Sequence, residues 1–475
     1  MQSKQDQLHA HLFVLGRVVS ALTRGEPDAA EAPMRRFSAA AIGGILVAGL
    51  VVAGIAVWGL LFPGGGTAWR EQGSLLVEKE TGTRYVLLDD VLHPVANYAS
   101  ARLVLGPQTK VVSVAAKALN GIPHGQSIGI PGAPDALPAA KSLVGKDWLI
   151  CSQSGTSNGT PVVRDEVALG GARPTVPPAA DSALLVRTPD GSTYLAWHGR
   201  RLAVGGRASL VALGYGSAEP WPVSALWVSA LLPGDALTGP DVPQRGEPGP
   251  QVGAVKTRIG QLLETRTGPS ETSTSHFLVL PDGLAPLSGI EAALVLGDPR
   301  SKDAYPGGAV AAIPVGASDA AAAPASKRSA PAGLPQALPE LTPPVVGRPR
   351  TPCVRMILRP DAAVESVEVA LAQPGTGGRD GVAGRTPSGG PILLAPGSGM
   401  LAQPPVAAGD TSTKAYLVTD LGVKYPLASL EAAGALGYSG PGAGMVTVPA
   451  SLLDLLPTGP VLDPQAAARV FAPGR

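Results

Sequence analysis

Charge and aromatic rings are both scarce in this chain. Asp, Glu, Lys and Arg make up 15% of its 475 residues, aromatics make up 4%, and the formal net charge is +1. A nucleic-acid partner needs a basic face to neutralise phosphate and rings to stack on bases. Neither can be assembled here, so nucleic acid is excluded. Beyond the N-terminal region only His93, His124, His198 and His276 occur, with no H-x-x-x-H or H-E-x-x-H pair to seat zinc. No G-x-x-x-x-G-K-[ST] phosphate loop is present. Its nearest approach, Gly145-Lys146-Asp147, lacks the upstream glycine and the hydroxyl residue that reaches magnesium. The expectation is no metal and no cofactor.

One long apolar run stands out, Phe37–Phe62, uncharged throughout, with Arg35 and Arg36 before it and Arg70 and Glu71 after it. At about 1.5 Å per residue it is long enough to cross a bilayer core of about 30 Å. A secretory signal has a shorter apolar core and seldom follows a leader as long as residues 1–36, so the run reads as an anchor. No second such run follows, which predicts one crossing. Lys4, Arg17, Arg24, Arg35 and Arg36 place residues 1–36 in the cytoplasm and residues 63–475 outside the plasma membrane. Within the leader, Leu8, Leu12, Leu15, Val19 and Leu22 follow helical spacing, with Phe13 and Arg17 beside them. This amphipathic helix offers its stripe to the membrane surface or to cytoplasmic parts of a partner.

Cysteine is rarer still. Cys151 and Cys353 are the only two, and both fall in the exported region, where an even pair predicts a disulfide. The alternative is two buried thiols packed as small hydrophobes.

Glycine and proline are abundant, at 61 and 49 residues, and imply short elements joined by turns. Four segments repeat within them: Tyr85–Gly106, Tyr194–Gly214, Phe277–Gly297 and Tyr416–Gly437. Each opens with an aromatic, alternates around a turn signal such as Asp89-Asp90, Asp282-Gly283 or Leu421-Gly422, and closes on Leu-Gly. The pattern predicts a hairpin followed by a helix. Ser288 and Glu291 have capping-box spacing, Ser429 is a candidate N-cap, and Gly297 and Gly437 suit the left-handed position after a helix. Each copy continues into a stretch ending in Pro and then Gly, at Pro123, Pro233, Pro314 and Pro457. The uneven spacing of the four starts rules out a solenoid of constant pitch.

The expected class is therefore α+β: one transmembrane helix, then repeat lobes near 74–140, 181–240, 274–316 and 409–475. A central core would come from strand-like segments near 146–180 and 351–408, which carry the cysteines. Segment 317–350, rich in Ala and Pro, reads as a flexible loop, and Gly239–Gln251 and Gly375–Gly390 read as loops.

Two motifs invite a catalytic reading. Gly125-Gln126-Ser127-Ile128-Gly129 fits the G-x-S-x-G elbow of hydrolases, but Pro131 and Pro134 interrupt the helix that an elbow requires. Asp89-Asp90 sits in a hairpin turn, where solvated carboxylates are the expected occupants. No catalytic residue is assigned.

The leader with Gln7-Leu8-His9-Ala10-His11, Phe13, Arg17, Ala21-Leu22, Gly25-Glu26-Pro27-Asp28 and Pro33-Met34-Arg35-Arg36, the anchor ending Pro63-Gly64-Gly65, the repeats and the cysteine pair together resemble EccB. EccB is the single-pass component of actinobacterial type VII (ESX) secretion systems. The resemblance implies an elongated exported domain with repeat lobes around a barrel-like core, braced by the disulfide. It implies assembly with EccC, EccD and EccE beside the mycosin protease, and more than one copy of the chain in the complex. The leading expectation is a non-catalytic structural subunit. The alternatives are an ATPase subunit, as family members have been labelled, and a membrane-anchored cell-wall-binding module.

Overall fold

Alternating apolar positions and tight turns build most of the chain after the long apolar run into antiparallel meanders. The computed structural model describes residues 4–25, 34–61, 67–71, 73–267, 273–329, 331, 333–335, 337–344, 350–359, 364–373, 384–405, 414–439 and 444–471. Phe62, the Pro63-Gly64-Gly65 flank, Glu26-Pro27-Asp28, Pro33 and residues 375–383 of the glycine-rich loop lie outside them. Two helices come first, α1 (Lys4–Arg24) and α2 (Met34–Leu61). The second begins at Met34, earlier than the expected apolar boundary at Phe37.

Four sheets then share a plan. The first comprises β1 (Ser74–Glu78), β2 (Arg84–Leu88), β3 (Val91–Pro94) and β4 (Lys110–Val114) in the order 3-2-1-4, with β4 parallel to β1. The third comprises β13 (Leu262–Thr267), β14 (Ser273–Leu280), β15 (Gly283–Leu287) and β16 (Ile313–Pro314) in the matching order. The fourth repeats it with β20 (Gly399–Gln403), β21 (Ala415–Thr419), β22 (Lys424–Leu427) and β23 (Val446–Thr447). In the second, β8 (Leu184–Arg187), β9 (Thr193–Trp197) and β10 (Arg200–Ala203) are flanked by β11 (Trp221–Pro222) beside β8 and β12 (Leu232–Pro233) beside β10. Between the third and fourth strands lies a helix each time: α3 (Tyr98–Leu105), α4 (Arg207–Ala212), α6 (Gly289–Gly297) and α8 (Leu430–Ala435). A second short helix follows the fourth strand of each sheet, in the second sheet α5 (Ala225–Ser229) after β11. Tyr85, Tyr194, Phe277 and Tyr416 all fall on the second strand of their sheet.

Local chemistry explains these elements. Asp89 and Asp90 have φ of 49° and 60°, and His198 and Gly199 have 45° and 72°, so both tips are two-residue turns whose twist matches the flanking strands. Ser288 and Glu291 form the capping box of α6, and Ser429 caps α8 through the Ala432 amide. Gly437, at φ 93°, takes the left-handed position after α8. Gly297 does not: it is the last residue of α6, with no positive φ, and a Cβ there would overlap Ala212 of α4. Close approach of two helices, rather than chain reversal, demands that glycine.

The fifth, central sheet runs β19-β6-β5-β17-β18-β7, from β5 (Asp147–Ser157), β6 (Thr160–Leu169), β7 (Thr175–Val176), β17 (Thr351–Leu358), β18 (Val364–Ala372) and β19 (Ile392–Leu393). One face buries Trp148, Ile150, Val354 and Met356 against Trp227 from the second sheet's unit and Leu452 and Leu456 from the fourth's. The outer units dock on these in turn. Ala99 and Leu103 of α3 pack with Leu401, Ala432 and Leu436, and Arg102 Nη2 donates to the Leu436 carbonyl at 3.0 Å. Leu195 and Leu213 pack with Ile290 and Leu294 of α6. First therefore meets fourth, and second meets third.

Segment 317–350, expected as a flexible loop, is held at several described points. It opens with α7 (Ala317–Ala322); Tyr215 Oη donates to the Pro339 carbonyl at 2.6 Å and Trp221 Nε1 to Thr342 at 2.8 Å. Leu341 bridges Ala183 in parallel. Main-chain groups supply these contacts, so a shortage of large apolar side chains gave no sign of them.

The tip of the β9–β10 hairpin rests on the edge of β18. Any Cβ on Gly199 would overlap the Val367 carbonyl oxygen, in a backbone conformation that already disfavours a side chain. Gly199→Ala should cost about 2–4 kcal/mol, from left-handed strain together with overpacking. Urea titration followed by tryptophan fluorescence reads this, since Trp221 and Trp227 are buried in the same unit. A shift below about 0.5 kcal/mol, the usual surface effect, would disprove the close contact.

Candidate functional site

The N-terminal helices leave apolar side chains without cover. In α1, Leu12 is 59% and Leu22 81% exposed, and Leu8, Phe13 and Leu15 are also exposed. Leu8, Leu12, Leu15, Val19 and Leu22 fall within about 80° of one another at 100° per residue. Phe13 lies off that stripe with Arg17, whose guanidinium sits 5.9 Å from the ring centroid, a contact of i,i+4 neighbours. Val19 is partly covered. In α2 the segment Ala40–Val57 has a mean hydropathy of 2.5, and none of it is buried by the rest of the chain. Burying that much aliphatic surface takes a bilayer or other helices.

The central sheet carries the densest chemistry. Cys151 on β5 lies directly opposite Cys353 on β17, with Cα atoms 4.0 Å apart, and the two are joined as a disulfide. Both are fully buried among Leu149, Ala168, Ala370 and Ala372. Because side chains alternate across a strand, the same face presents Asp147, Arg355 and Glu166. Asp147 takes a bidentate pair from Arg355, at 3.0 Å from Nε and 2.6 Å from Nη2, and this bond raises the Arg355 pKa. Glu166 pairs with Arg173, their side chains only 3% and 7% exposed, and also accepts from Gln153 Nε2 at 2.6 Å. Arg173 Nη2 donates to the Gln373 carbonyl at 2.6 Å, and burial lowers the Arg173 pKa.

On the opposite face Asp165 accepts from Ser224 Oγ at 2.5 Å and Ser152 Oγ at 3.2 Å. Its own amide donates to Ser388 Oγ at 2.8 Å. Burial raises its pKa, and the hydroxyls of Ser224, Ser152 and Ser388 oppose that shift. Ser224 also caps α5, so this carboxylate ties β5 and β6 to the second unit. Sequence reading missed Asp165, Glu166 and Arg173. The only signal was a pair of acids inside the strand-like stretch before Val167-Ala168-Leu169.

The motifs with catalytic outlines have structural occupations. Gly125 is the seat of His93, whose ring a Cβ would overlap, and in the fourth unit Gly459 seats Tyr425 in the same way. Ser127 precedes the Ile128–Val470 bridge with no helix after it, which is not an elbow. His124 meets Tyr85 edge-on at 5.6 Å, and His198 stacks on Trp197 at 4.0 Å. No cluster of metal-ligating residues occurs among the described residues. Gly145 and Lys146 run straight into β5; the Gly145 carbonyl accepts from Trp148 Nε1 and that of Lys146 from the Leu358 amide. Beside them opens a cavity of about 540 Å³, walled by Leu143, Val144, Met445 and Val446. A phosphate cradle needs amides at a helix N-terminus, whereas here the chain enters a strand.

Comparison with known proteins gives a consistent picture. A family model described as "Type VII secretion system ESX-1, transport TM domain B" matches residues 1–471. The ESX-3 secretion system ATPase EccB3 of Mycolicibacterium smegmatis is 28% identical, over 96% of this chain and 88% of that protein. The ESX-1 secretion system ATPase EccB1 from another strain of that species is 30% identical, over 97% and 94%. Among solved structures, an EccB3 dimer from the ESX-3 core complex superposes with a TM-score of 0.62 at 26% identity, covering 83% of this chain and 99% of that one. A chain of an intact ESX-5 inner membrane complex has the same fold, with a TM-score of 0.65 at 24% identity over 100% and 97%.

Proposed function

The chain belongs to the EccB family of type VII (ESX) secretion systems, a component of their inner-membrane complex, and from that premise we propose that it is a non-catalytic scaffold. In this reading α2 crosses the plasma membrane once, the basic leader keeps α1 in the cytoplasm, and the rest of the chain stands outside. The four similar sheets are the repeat lobes, and the six-stranded sheet is the barrel-like core around which they are built. The order of docking, first on fourth, fourth and second on the core, third on second, suits an elongated strut. The protein works as two or more copies, as EccB3 does in its dimer, alongside EccC, EccD, EccE and the mycosin protease.

One observation carries the reading: both N-terminal helices expose their apolar side chains, while the remainder has its own buried cores. Leu12→Glu with Val19→Glu should leave the anchor inserted and the lobes folded, yet free the chain of EccC and EccD when solubilised membranes are purified. Both partners remaining bound would transfer assembly to the anchor or the lobes.

The relatives' names favour a second reading, an ATPase subunit. The chain enters a strand straight after Gly145-Lys146, where no helix N-terminus aims amides at a phosphate, and this argues for the scaffold instead. Pure protein should show no turnover above that of a Lys146→Ala variant, once contaminating motor ATPase is removed. Turnover abolished by that single substitution would establish the enzyme.

A further inference from the structure

Sheet edges expose unpaired amides and carbonyls, and folded chains usually keep such edges short, charged or covered. Here β3 is bridged by His124 and Ile128, β15 by Ala325, and β22 by Thr458 and Leu462. The returning strands β11, β16 and β23 are two residues long. Their counterpart in the first sheet is different. β4 has five residues, pairs with β1 along its whole length, and has no strand on its other side among the described residues.

The backbone of β4 alternates in a way that the hydrogen bonds define. The Lys110 amide donates to Gly73, and the Val114 carbonyl accepts from Lys79, so residues 110, 112 and 114 direct their main chain at β1. Val111 and Ser113 therefore direct theirs outward. Val111 is 58% exposed, and Lys110 stands at the strand end, paired with Glu71 at 3.2 Å. The outward pair is symmetric about Val112. A second β4 laid antiparallel over the same centre would set Val111 against Ser113 of the other copy twice, each amide facing a carbonyl, with the two Lys110 charges at opposite ends. A sequence whose free edge complements itself fits a two-fold contact.

We propose that the outer edge of β4 is an interface at which a second copy of this chain adds its own β4, antiparallel and centred on Val112, continuing the first sheet across the pair. This rests on the reading that the protein works in more than one copy. The first sheet is the one nearest the anchor in the chain, β1 starting at Ser74 where α2 ends at Leu61, so two chains anchored side by side bring these edges near each other.

Crosslinking of the full-length chain in native membranes tests the register. Opposed Val112 residues would form a non-hydrogen-bonded pair, with Cα atoms about 4.5 Å apart, close enough for a disulfide. Val112→Cys introduces the one free thiol, since Cys151 and Cys353 are bonded to each other. Mild oxidation should give a species of twice the chain mass about tenfold faster than Ser229→Cys, an exposed control, because held neighbours react at high effective concentration. Val111→Pro removes only an outward amide, so it should abolish the dimer while melting stays unchanged and EccC and EccD still copurify. That last readout keeps this test separate from the scaffold test. Crosslinking at the control rate, an adduct to a different protein, or a dimer that survives Val111→Pro would each overturn the proposal, and the crosslink does not depend on how the proline variant folds.

Discussion

Replacing Cys151 and Cys353 together by alanine should lower the stability of the central sheet by as much as about 5 kcal/mol, the chain-entropy value for a closed loop of this length. The bond closes a separation of 202 residues, enclosing the whole of the second and third sheets. Without it, β5 and β17 still pair through main-chain bonds, so the native fold should persist under mild conditions. The unfolded chain, however, would regain the freedom that the link removes. Urea titration of the detergent-solubilised protein, followed through buried Trp148 and Trp227, reads the loss. A midpoint shift worth less than about 1 kcal/mol would mean the bond restrains little, and that hydrophobic packing alone joins the halves.

Glu166→Ala should be nearly as damaging, at about 3–5 kcal/mol, because it leaves the Arg173 guanidinium buried without its partner. The pair lies on the disulfide's own face, Glu166 being directly opposite Cys151 across β5 and β6. Removing both charges with Glu166→Leu and Arg173→Met should restore most of the loss, since desolvating the pair offsets much of its attraction. The same fluorescence titration compares the three proteins. Equal destabilisation in the single and double variants would locate the cost in packing rather than in an unpaired charge.

The two predictions act on one face of one sheet, and that face was only partly legible in the sequence. Cys151 and Cys353 could be matched because they are the sole cysteines in a region expected to be oxidising. Glu166 and Arg173 carry no such label. A charged residue reads as exposed until its strand is seen to be covered, and the cover comes from segments distant in the chain. Gly297 teaches the same lesson in reverse. Its place at a helix end suggested a left-handed cap, whereas the proximity of Ala212, on another unit's helix, is what excludes a side chain.

Several features follow from the sequence alone: the long apolar helix, the leader stripe, the four aromatic-to-glycine segments, the capping box at Ser288 and Glu291, and the N-cap at Ser429. Each is contained in one continuous stretch of the chain, so spacing and side-chain chemistry suffice to specify it. Only the tertiary structure decided that the first unit docks on the fourth and the second on the third. It also decided that Asp165 binds two serines brought from different elements, and that the stretch 317–344 is held by Tyr215 and Trp221. These contacts join groups tens to hundreds of residues apart, and many use the main chain, which is chemically alike at every position. Shape and burial select among such pairings, and neither exists until the chain has folded.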